Sequence, residues 1–229
     1  MAEAVFDHLP DTVFFIKDRD GRYISANQTL VERCGLRDKS QLLGRRPSDV
    51  LGETLGRGYE SQDRSVLETG QNLVDQLELH TVRSKDIGWC LTTKMPLFRK
   101  DGSVAGLVGI SRDLRLPDMT SDDFEHISEA IRFAEQNISQ RPTIARLAGV
   151  AGMSTYQLDR RMKRVFGLTT GQWVLKTRIS HASRVLTETD MPVAEIALEA
   201  GYADQSAFTR QFRRSTGLSP TEYRRLRQS

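Results

Sequence analysis

Cysteine is scarce in this 229-residue sequence, which contains only Cys34 and Cys90, and the two do not form a C-x-x-C pair. So little cysteine is typical of the reducing cytoplasm, where we expect this protein to act. Long apolar runs are also missing, because no segment approaches the roughly 20 apolar residues that a membrane-spanning helix needs. The first ten residues, MAEAVFDHLP, lack a basic region and a long apolar core, so we expect no signal peptide and no membrane partner.

Motifs of catalysis and metal binding are absent from the sequence as well. It has no G-x-S-x-G nucleophile turn and no glycine-rich loop that could cradle phosphate. His126 lies in HISEAIR, which suggests a phosphate-accepting histidine, but no ATP-binding half follows it. No two histidines are four residues apart, so we predict no metal site, no catalytic residue and no enzyme. The four histidines are His8, His80, His126 and His181.

The formal net charge of +3 conceals a strong asymmetry along the chain. Residues 1–117 carry 17 Lys and Arg against 17 Asp and Glu, whereas residues 118–140 carry 1 against 6. Residues 141–229 carry 15 against 7, which is a net charge of +8. A neutral half followed by a basic C-terminal part indicates that only the C-terminal part meets a polyanion.

The residue pattern divides the chain into two predicted domains. Residues 1–117 hold strand-like segments rich in β-branched and aromatic residues, separated in part by Asp-Gly turns, and residues 27–69 between them look helical. This pattern predicts an α+β domain over residues 1–117, with an antiparallel sheet and flanking helices. From Ser121 onward the apolar spacing is helical, which predicts an all-α domain over residues 118–229. The strand-like segments are TVFFIK, RYISAN, NLVDQLELHTV, GWCLTTKMPLF and SVAGLVGISRD.

The all-α part contains an internal repeat, whose offset is 49 residues and becomes 50 after one inserted residue. Each copy reads as a short apolar helix, a turn at Ala-Gly and a longer helix with basic residues. That order predicts two helix-turn-helix units. The matched pairs include Ile144 with Val193, Gly152 with Gly201, Leu158 with Phe208 and Met162 with Phe212.

In both copies the second helix has an apolar face and a polar, basic face. Phe208 and Phe212 share the apolar face, so we predict that they pack in the core and do not stack on bases. Residues at the start of a recognition helix reach base edges, and basic residues further along it suit phosphates. For one helix taken alone, a basic face that is simply solvated is an equally good interpretation. The predicted base-reading residues are Tyr156, Gln157, Arg160, Gln205, Ser206, Thr209 and Arg210, and the predicted phosphate contacts are Lys163, Arg164, Arg213 and Arg214.

These repeats resemble the AraC/XylS family of bacterial transcription regulators. The resemblance covers residues 121–227 and is carried by PTIARLAGVAGMSTYQLDRRMKRVFGLTTGQW (142–173) and PVAEIALEAGYADQSAFTRQFRRSTGLSPTEYR (192–224). It implies a seven-helix domain that reads two neighbouring major grooves of double-stranded DNA, with RNA polymerase as a further partner. By position it adds Asp159 to the base-reading residues, either as an acceptor for a cytosine amino group or paired with a neighbouring arginine.

Residues 3–115 resemble a PAS domain of bacterial signalling proteins, through FFIKDRDGRYISANQTLVE and GLVGISRDL. Such a domain implies sensing of a ligand, a cofactor, light or redox state, and often dimerisation. A light-sensing flavin needs a reactive cysteine where this chain reads GRRPSDVLG, and the helix near 57–69 offers haem no histidine, so we predict no resident cofactor. A small organic ligand remains, or no ligand and a filled core. The residues expected to line a pocket are Phe15, Val31, Tyr59, Leu79, Trp89 and Leu91.

The sequence therefore predicts a cytoplasmic, sequence-specific DNA-binding transcription regulator. Its PAS-like domain would sense a small ligand or join two copies as a homodimer. The alternative is a PAS-based protein–protein interaction module without a ligand. Complementary basic faces in both repeats favour the DNA-binding regulator.

Overall fold

The computed structural model describes residues 3–81, 87–114, 116–117 and 119–228. The chain divides into two compact units, and the division along the sequence falls between Asp113 and Leu114. The predicted domain boundary lies at Pro117 and Asp118, and Asp118 itself falls outside the described residues. The side chain of His80 also lies outside the described part.

The first unit combines one antiparallel sheet with four α-helices in its described residues. The strands are β1 (Thr12–Asp18), β2 (Tyr23–Ala26), β3 (Leu73–Thr81), β4 (Ile87–Phe98) and β5 (Val104–Asp113). The helices are α1 (Glu3–Phe6), α2 (Gln28–Arg33), α3 (Pro47–Leu51) and α4 (Glu53–Thr69). The strand order is β2-β1-β5-β4-β3, and every pair is antiparallel. The predicted α+β domain is confirmed.

A tight turn joins β1 to β2. The Asp18 side chain accepts hydrogen bonds from the backbone N–H groups of Asp20 and Arg22, both at 2.9 Å. Gly21 adopts a φ of +76°, a conformation that glycine takes at little cost. The Asp-Gly turn that the sequence indicates therefore closes this hairpin.

Asn27 fastens the start of α2 to β1. Its side-chain oxygen accepts hydrogen bonds from the backbone N–H groups of Phe14, at 3.0 Å, and Leu30, at 3.3 Å. Its amide nitrogen donates to the carbonyl oxygen of Thr12 at 2.7 Å. Because Asn27 is fully buried and bonds to both elements, it fixes α2 against the sheet.

The interior of the first unit lies between one face of the sheet and its helices. Side chains alternate along a strand, so Val13 and Phe15 of β1 lie on the interior face, with Leu107 of β5 beside them. They pack against Val31 of α2 and Val66 of α4 in a single apolar cluster. This cluster holds the helices over the sheet and bounds one side of the cavity described below.

The second unit contains seven α-helices in its described residues. They are α5 (Asp122–Gln136), α6 (Ile144–Val150), α7 (Thr155–Phe166), α8 (Thr170–Glu188), α9 (Val193–Glu199), α10 (Gln205–Thr216) and α11 (Pro220–Gln228). Helices α6 and α7 form one helix-turn-helix unit, α9 and α10 form the other, and α8 lies between them in the chain. The predicted all-α domain with two such units is confirmed.

The helix boundaries reproduce the internal repeat. Helices α6 and α9 begin 49 residues apart, whereas α7 and α10 begin 50 residues apart, so the inserted residue lies in the second turn. Gly152 and Gly201 occupy the matching turns with positive φ values of +63° and +77°. Glycine is favoured there because a Cβ strains a left-handed backbone at the end of a helix. The two units therefore share one backbone design.

The apolar faces of the two longer helices are buried. Phe208 and Phe212 are both 0% exposed, which confirms the prediction that they pack in the core. Their ring centroids lie 5.3 Å apart, and the Phe212 ring lies 5.3 Å from that of Tyr223 in α11. In α7, Leu158 and Met162 are buried in the same way. Each longer helix is thus anchored by one face, which leaves its polar face exposed.

Candidate nucleic-acid interface and ligand cavity

The N-terminal end of α10 carries exposed polar side chains. Gln205, Ser206 and Arg210 are exposed and Thr209 is half-buried. The helix starts at an Asp204 cap, whose carboxylate accepts a hydrogen bond from the Ala207 backbone N–H at 2.7 Å. The buried aromatic face fixes the rotation of the helix, so all four polar side chains remain within reach of a binding partner.

The matching end of α7 is chemically different. Tyr156 is 74% exposed and Arg160 is exposed. Gln157 takes part in a capping box, in which its side-chain oxygen accepts from the Ser154 N–H at 2.9 Å and its own N–H donates to the Ser154 hydroxyl at 3.2 Å. The Gln157 oxygen is therefore engaged within the helix start.

Asp159 is engaged as well. Its carboxylate accepts a hydrogen bond from the backbone N–H of Thr170, the first residue of α8, at 2.7 Å. The matching positions of the second repeat are Thr209 and Pro220, and proline has no N–H to satisfy. The described hydrogen bonds of Asp159 thus serve the fold of the first helix-turn-helix, and they include no bond to a neighbouring arginine.

Asp123, in the first turn of α5, links that helix to α7 by two ion pairs. Its carboxylate oxygens lie 2.6 Å from Arg161 Nη1 and 3.1 Å from Arg164 Nη1. The hydrogen bond from Arg164 holds the pKa of the Asp123 carboxyl below its usual 3.8, and the charges of both arginines add to this effect. Sequence reasoning missed this link, because the acidic first turn of α5 is also what a helix start favours by itself.

The four basic residues predicted to contact phosphates lie in the last turns of their helices. Lys163 and Arg164 lie in the last turn of α7, and Arg213 and Arg214 lie in the last turn of α10. All four are exposed. A cation at this end also opposes the negative pole of the helix dipole, so the placement suits both helix stability and an approaching phosphate.

A cavity of about 70 Å³ lies inside the first unit, between the sheet and the helices. Of the six residues expected to line a pocket, Phe15 and Tyr59 line it and the other four do not. Those four are Val31, Leu79, Trp89 and Leu91. The polar residues that line it instead are Lys17, Tyr23, Arg33, Cys34, Glu78, Thr92, Lys94 and Ser111.

Strand alternation explains why Leu79 and Leu91 are not at the cavity. In the register of β3 and β4, Glu78 lies opposite Cys90 and Leu79 opposite Trp89. Successive residues of a strand point to opposite faces of the sheet. Glu78 points to the cavity side, so Leu79 and Leu91 point to the other face. The sequence pattern favours the apolar alternate positions of these strands, whereas the positions that line this cavity are polar, and a buried glutamate carries no apolar signal.

Two buried lysines share one carboxylate beside the cavity. Lys17 Nζ of β1 lies 2.5 Å from one oxygen of Asp63 in α4, and Lys94 Nζ of β4 lies 2.7 Å from the other. All three side chains are 2% exposed. A buried charge is tolerated when it is paired and hydrogen-bonded, and this arrangement meets that condition.

Hydrogen bonds extend this cluster across the sheet. Lys94 also donates to the side-chain oxygen of Gln62 at 3.0 Å, and the Gln62 amide donates to Glu78 at 2.6 Å. The Thr92 hydroxyl donates to the second oxygen of Glu78 at 2.5 Å and lies 2.8 Å from the Ser111 hydroxyl. The network therefore lines one wall of the cavity with fixed polar groups.

Burial and charge shift the pKa values of this cluster. Burial lowers the pKa of Lys17 below 10.5, although Asp63 opposes the shift. Burial by itself raises the pKa of the Asp63 carboxyl, but the ammonium groups of Lys94 and Lys17 outweigh it and the pKa falls below 3.8. Burial raises the pKa of the Tyr59 phenol, which stays protonated. No cluster of three or more His, Cys, Asp or Glu side chains suited to a metal occurs among the described residues.

Comparison with known proteins identifies both units. Family models match residues 147–226 as a helix-turn-helix domain and residues 6–116 as a PAS fold. The HTH-type transcriptional activator AarP of Providencia stuartii is 30% identical over 98 residues, which are 43% of this chain and 73% of AarP. The chain belongs to the AraC family of transcription regulators. The resemblances to this family and to PAS domains are thereby confirmed.

Two further matches each cover about half of this AraC-family chain or less. The probable transcriptional regulator LumQ of Photobacterium leiognathi is 31% identical over 114 residues, and the chain spans 46% of its length. The crystal structure of the DNA-binding domain of AdpA with a target DNA is 31% identical, covers 44% of this chain and 90% of that one, and has a TM-score of 0.42. Among the described residues, no helix of the AraC-family chain is long and apolar enough to cross a membrane.

Proposed function

We propose that this protein is a sequence-specific DNA-binding transcription regulator that acts in the cytoplasm. The observation that carries the proposal is the pair of helix-turn-helix units whose second helices are anchored by one apolar face and expose a polar, basic one. Membership of the AraC family supports it. The two helices would enter neighbouring major grooves, about 34 Å apart on one side of the duplex.

The reading roles divide unevenly between the two helices. In the second, Gln205, Ser206, Thr209 and Arg210 are proposed to contact base edges. In the first, that role is proposed for two exposed side chains, those of Tyr156 and Arg160. The phosphate-binding residues are proposed to be Lys163, Arg164, Arg213 and Arg214.

Gln157 and Asp159 are proposed to position the first reading helix. The Gln157 oxygen caps α7 and the Asp159 carboxylate binds the first N–H of α8, so these bonds hold both side chains against their own domain. The second helix therefore provides most of the sequence preference in this proposal.

The PAS unit is proposed to sense a small organic ligand in its cavity and so to modulate DNA binding. A homodimer through this unit, and contact with RNA polymerase by the DNA-bound protein, complete the proposal. The alternative is a PAS-based interaction module without a ligand.

Selection of bound fragments from a random DNA library, followed by mobility-shift titration, tests the proposal. We expect one preferred duplex sequence, bound much more tightly than random DNA, with an affinity that falls steeply as salt rises. Equal binding to all fragments, or none, would contradict a sequence-specific regulator. Sedimentation of the free chain tests the homodimer separately.

A further inference from the structure

The cavity of the first unit has more hydrogen-bond donors to spare than acceptors. Within the described part of the chain, Lys17 donates one hydrogen bond, to Asp63, and its Nζ lies over the rings of Tyr23 and Phe15, 4.3 and 5.0 Å from their centroids, so at most two of its three N–H donors remain for a ligand. The hydroxyl groups of Tyr23 and Tyr59 have no hydrogen-bond partner among the described residues, and both tyrosines line the cavity. Lys17 and Tyr23 are at least nine-tenths buried, so bulk water does not solvate them freely.

The acceptors of the cavity wall are already in use. Glu78 accepts from the Gln62 amide and from the Thr92 hydroxyl, one bond on each carboxylate oxygen. Thr92 has a single proton, which Glu78 takes, so Ser111 is the donor in the bond between the two hydroxyls. The wall therefore offers a ligand spare protons, whereas both Glu78 oxygens and the Thr92 hydroxyl oxygen already accept a hydrogen bond.

The charged residues of the lining also favour a ligand that accepts hydrogen bonds. Lys17, Lys94 and Arg33 line the cavity with positive charge, and Glu78 is the carboxylate among the described lining residues. The carboxylates that pair with these cations, Asp63 and Asp113, are not among the residues that line the cavity. The three cations balance the carboxylates of Glu78, Asp63 and Asp113 in formal charge, but a ligand anion could accept the remaining protons of Lys17, whereas a ligand cation could not.

We propose that the cavity binds a small organic monocarboxylate, with its carboxylate at Lys17 and the hydroxyl of Tyr59. This inference rests on the proposed ligand-sensing function and names its chemical class. Apolar residues form the opposite wall, among them Phe15, Leu30 and Leu55. The volume is about half of the ~150 Å³ cavity that takes up benzene in an engineered core, which suits tails of about one to three carbons.

Calorimetric titration of the full-length protein with acetate, propionate and butyrate tests the proposal, with acetamide, propionamide and butyramide as matched neutral probes. At least one acid should bind about tenfold or more tightly than its amide, because charge-assisted hydrogen bonds to buried lysine are strong. Sodium chloride at equal ionic strength controls for salt. Amides that bind as well as their acids, or six probes that all fail to bind, would overturn the proposal.

Two variants locate the site. Lys17→Met should abolish the preference for the acid, and Asp63 keeps Lys94 as its partner in that variant. Tyr59→Phe removes one hydroxyl and should weaken acid binding several-fold without disturbing the fold. Lys100→Met, in the exposed turn between β4 and β5, is the matched control and should bind acid as the parent does. Acid binding that survives both cavity changes would overturn the assignment.

DNA binding separates this inference from the function on which it rests. Lys100→Met in the absence of acid should bind the selected duplex as the parent does. If the parent recognises that duplex and no acid binds, the ligand class is wrong and the regulator stands. If the parent shows no sequence preference while the acid binds at Lys17, the proposed function fails and the ligand site stands.

Discussion

The Asp159 carboxylate accepts a hydrogen bond from the Thr170 backbone N–H at 2.7 Å. In the second repeat the matching residues are Thr209 and Pro220, so the donor is missing and no acidic acceptor is needed. The two helix-turn-helix units therefore share a backbone design, but only the first has an acidic side chain that binds the start of the following helix. That difference leaves the second reading helix better supplied with exposed polar groups.

Asp159→Ala should lower the free energy of unfolding of the helical unit by about 1 kcal/mol, the usual cost of losing a helix cap. It should leave the preferred DNA sequence unchanged. Fluorescence of Trp173 reports this unit in a Trp89→Phe background, because the chain has only these two tryptophans. Asp159→Asn keeps an acceptor oxygen and should be close to the parent. A changed preference at one base pair would instead make Asp159 a base-reading residue.

Asp123→Asn should strengthen DNA binding, because phosphate and the Asp123 carboxylate compete for the Arg164 guanidinium. One more phosphate contact should steepen the slope of log affinity against log salt by about 0.9. Asp122→Asn is the matched control, since it removes the same charge from the adjacent position of α5, and no ion pair of Asp122 is described. Equal salt slopes for the two variants would show that Asp123 does not restrain Arg164.

Arg210→Ala should cost about 1–3 kcal/mol of binding to the preferred duplex and relax the preference at one base pair. Lys163→Ala is the contrasting change, because a phosphate contact should weaken binding to all sequences alike and reduce the salt slope by about 1. Quantitative binding-site selection with each variant measures both effects. If Arg210→Ala binds preferred and random DNA as the parent does, its role in base reading is wrong.

Asp63→Ala should destabilise the PAS unit by about 3–5 kcal/mol, because it leaves the buried charges of Lys17 and Lys94 uncompensated. Denaturant unfolding followed by Trp89 in a Trp173→Phe background measures the loss. Asp38→Ala, at an exposed carboxylate, is the control and should cost far less. If Asp63→Ala lowered the free energy of unfolding by less than Asp38→Ala does, the lysines would not be charged in the folded protein.

The same cluster predicts two effects of pH on stability, one from Asp63 at acidic pH in the parent and one from Lys17 at alkaline pH in the variant. The folded pKa of Asp63 is below 3.8, so in the parent its contribution is present above that value and is lost as pH falls through the folded pKa. In Asp63→Ala, burial keeps the pKa of Lys17 below 10.5 in the folded state, because the carboxylate that opposed this shift is gone. The unfolded chain then binds more protons, and stability should rise with pH toward 10.5.

Much of the helical unit could be predicted from the sequence because its signals are local or repeated. Apolar spacing placed Phe208 and Phe212 in the core, and the recurrence of Gly152 and Gly201 marked both turns. Engagement of Gln157 and Asp159 could not be predicted in the same way. The polarity of a side chain shows that it needs a partner, and only the approach of α8 to α7 shows that Thr170 supplies one.

The PAS cavity was the less predictable site. Alternation along β3 and β4 was visible in the sequence, but which alternate set faces the helices depends on strand register and on packing of the whole sheet. The network from Lys17 to Ser111 joins residues far apart in the chain, and no local pattern relates them.

The sequence by itself determined the two domain types, the duplicated helix-turn-helix and the buried face of its longer helices, because periodicity and turn chemistry are properties of neighbouring residues. The tertiary structure alone decided which polar groups are already satisfied. It paired Asp123 with Arg161 and Arg164, set Asp63 between two lysines, and left the cavity rich in donors. Coulombic and hydrogen-bond energies depend on distances of a few ångströms between remote residues, and folding is what fixes those distances.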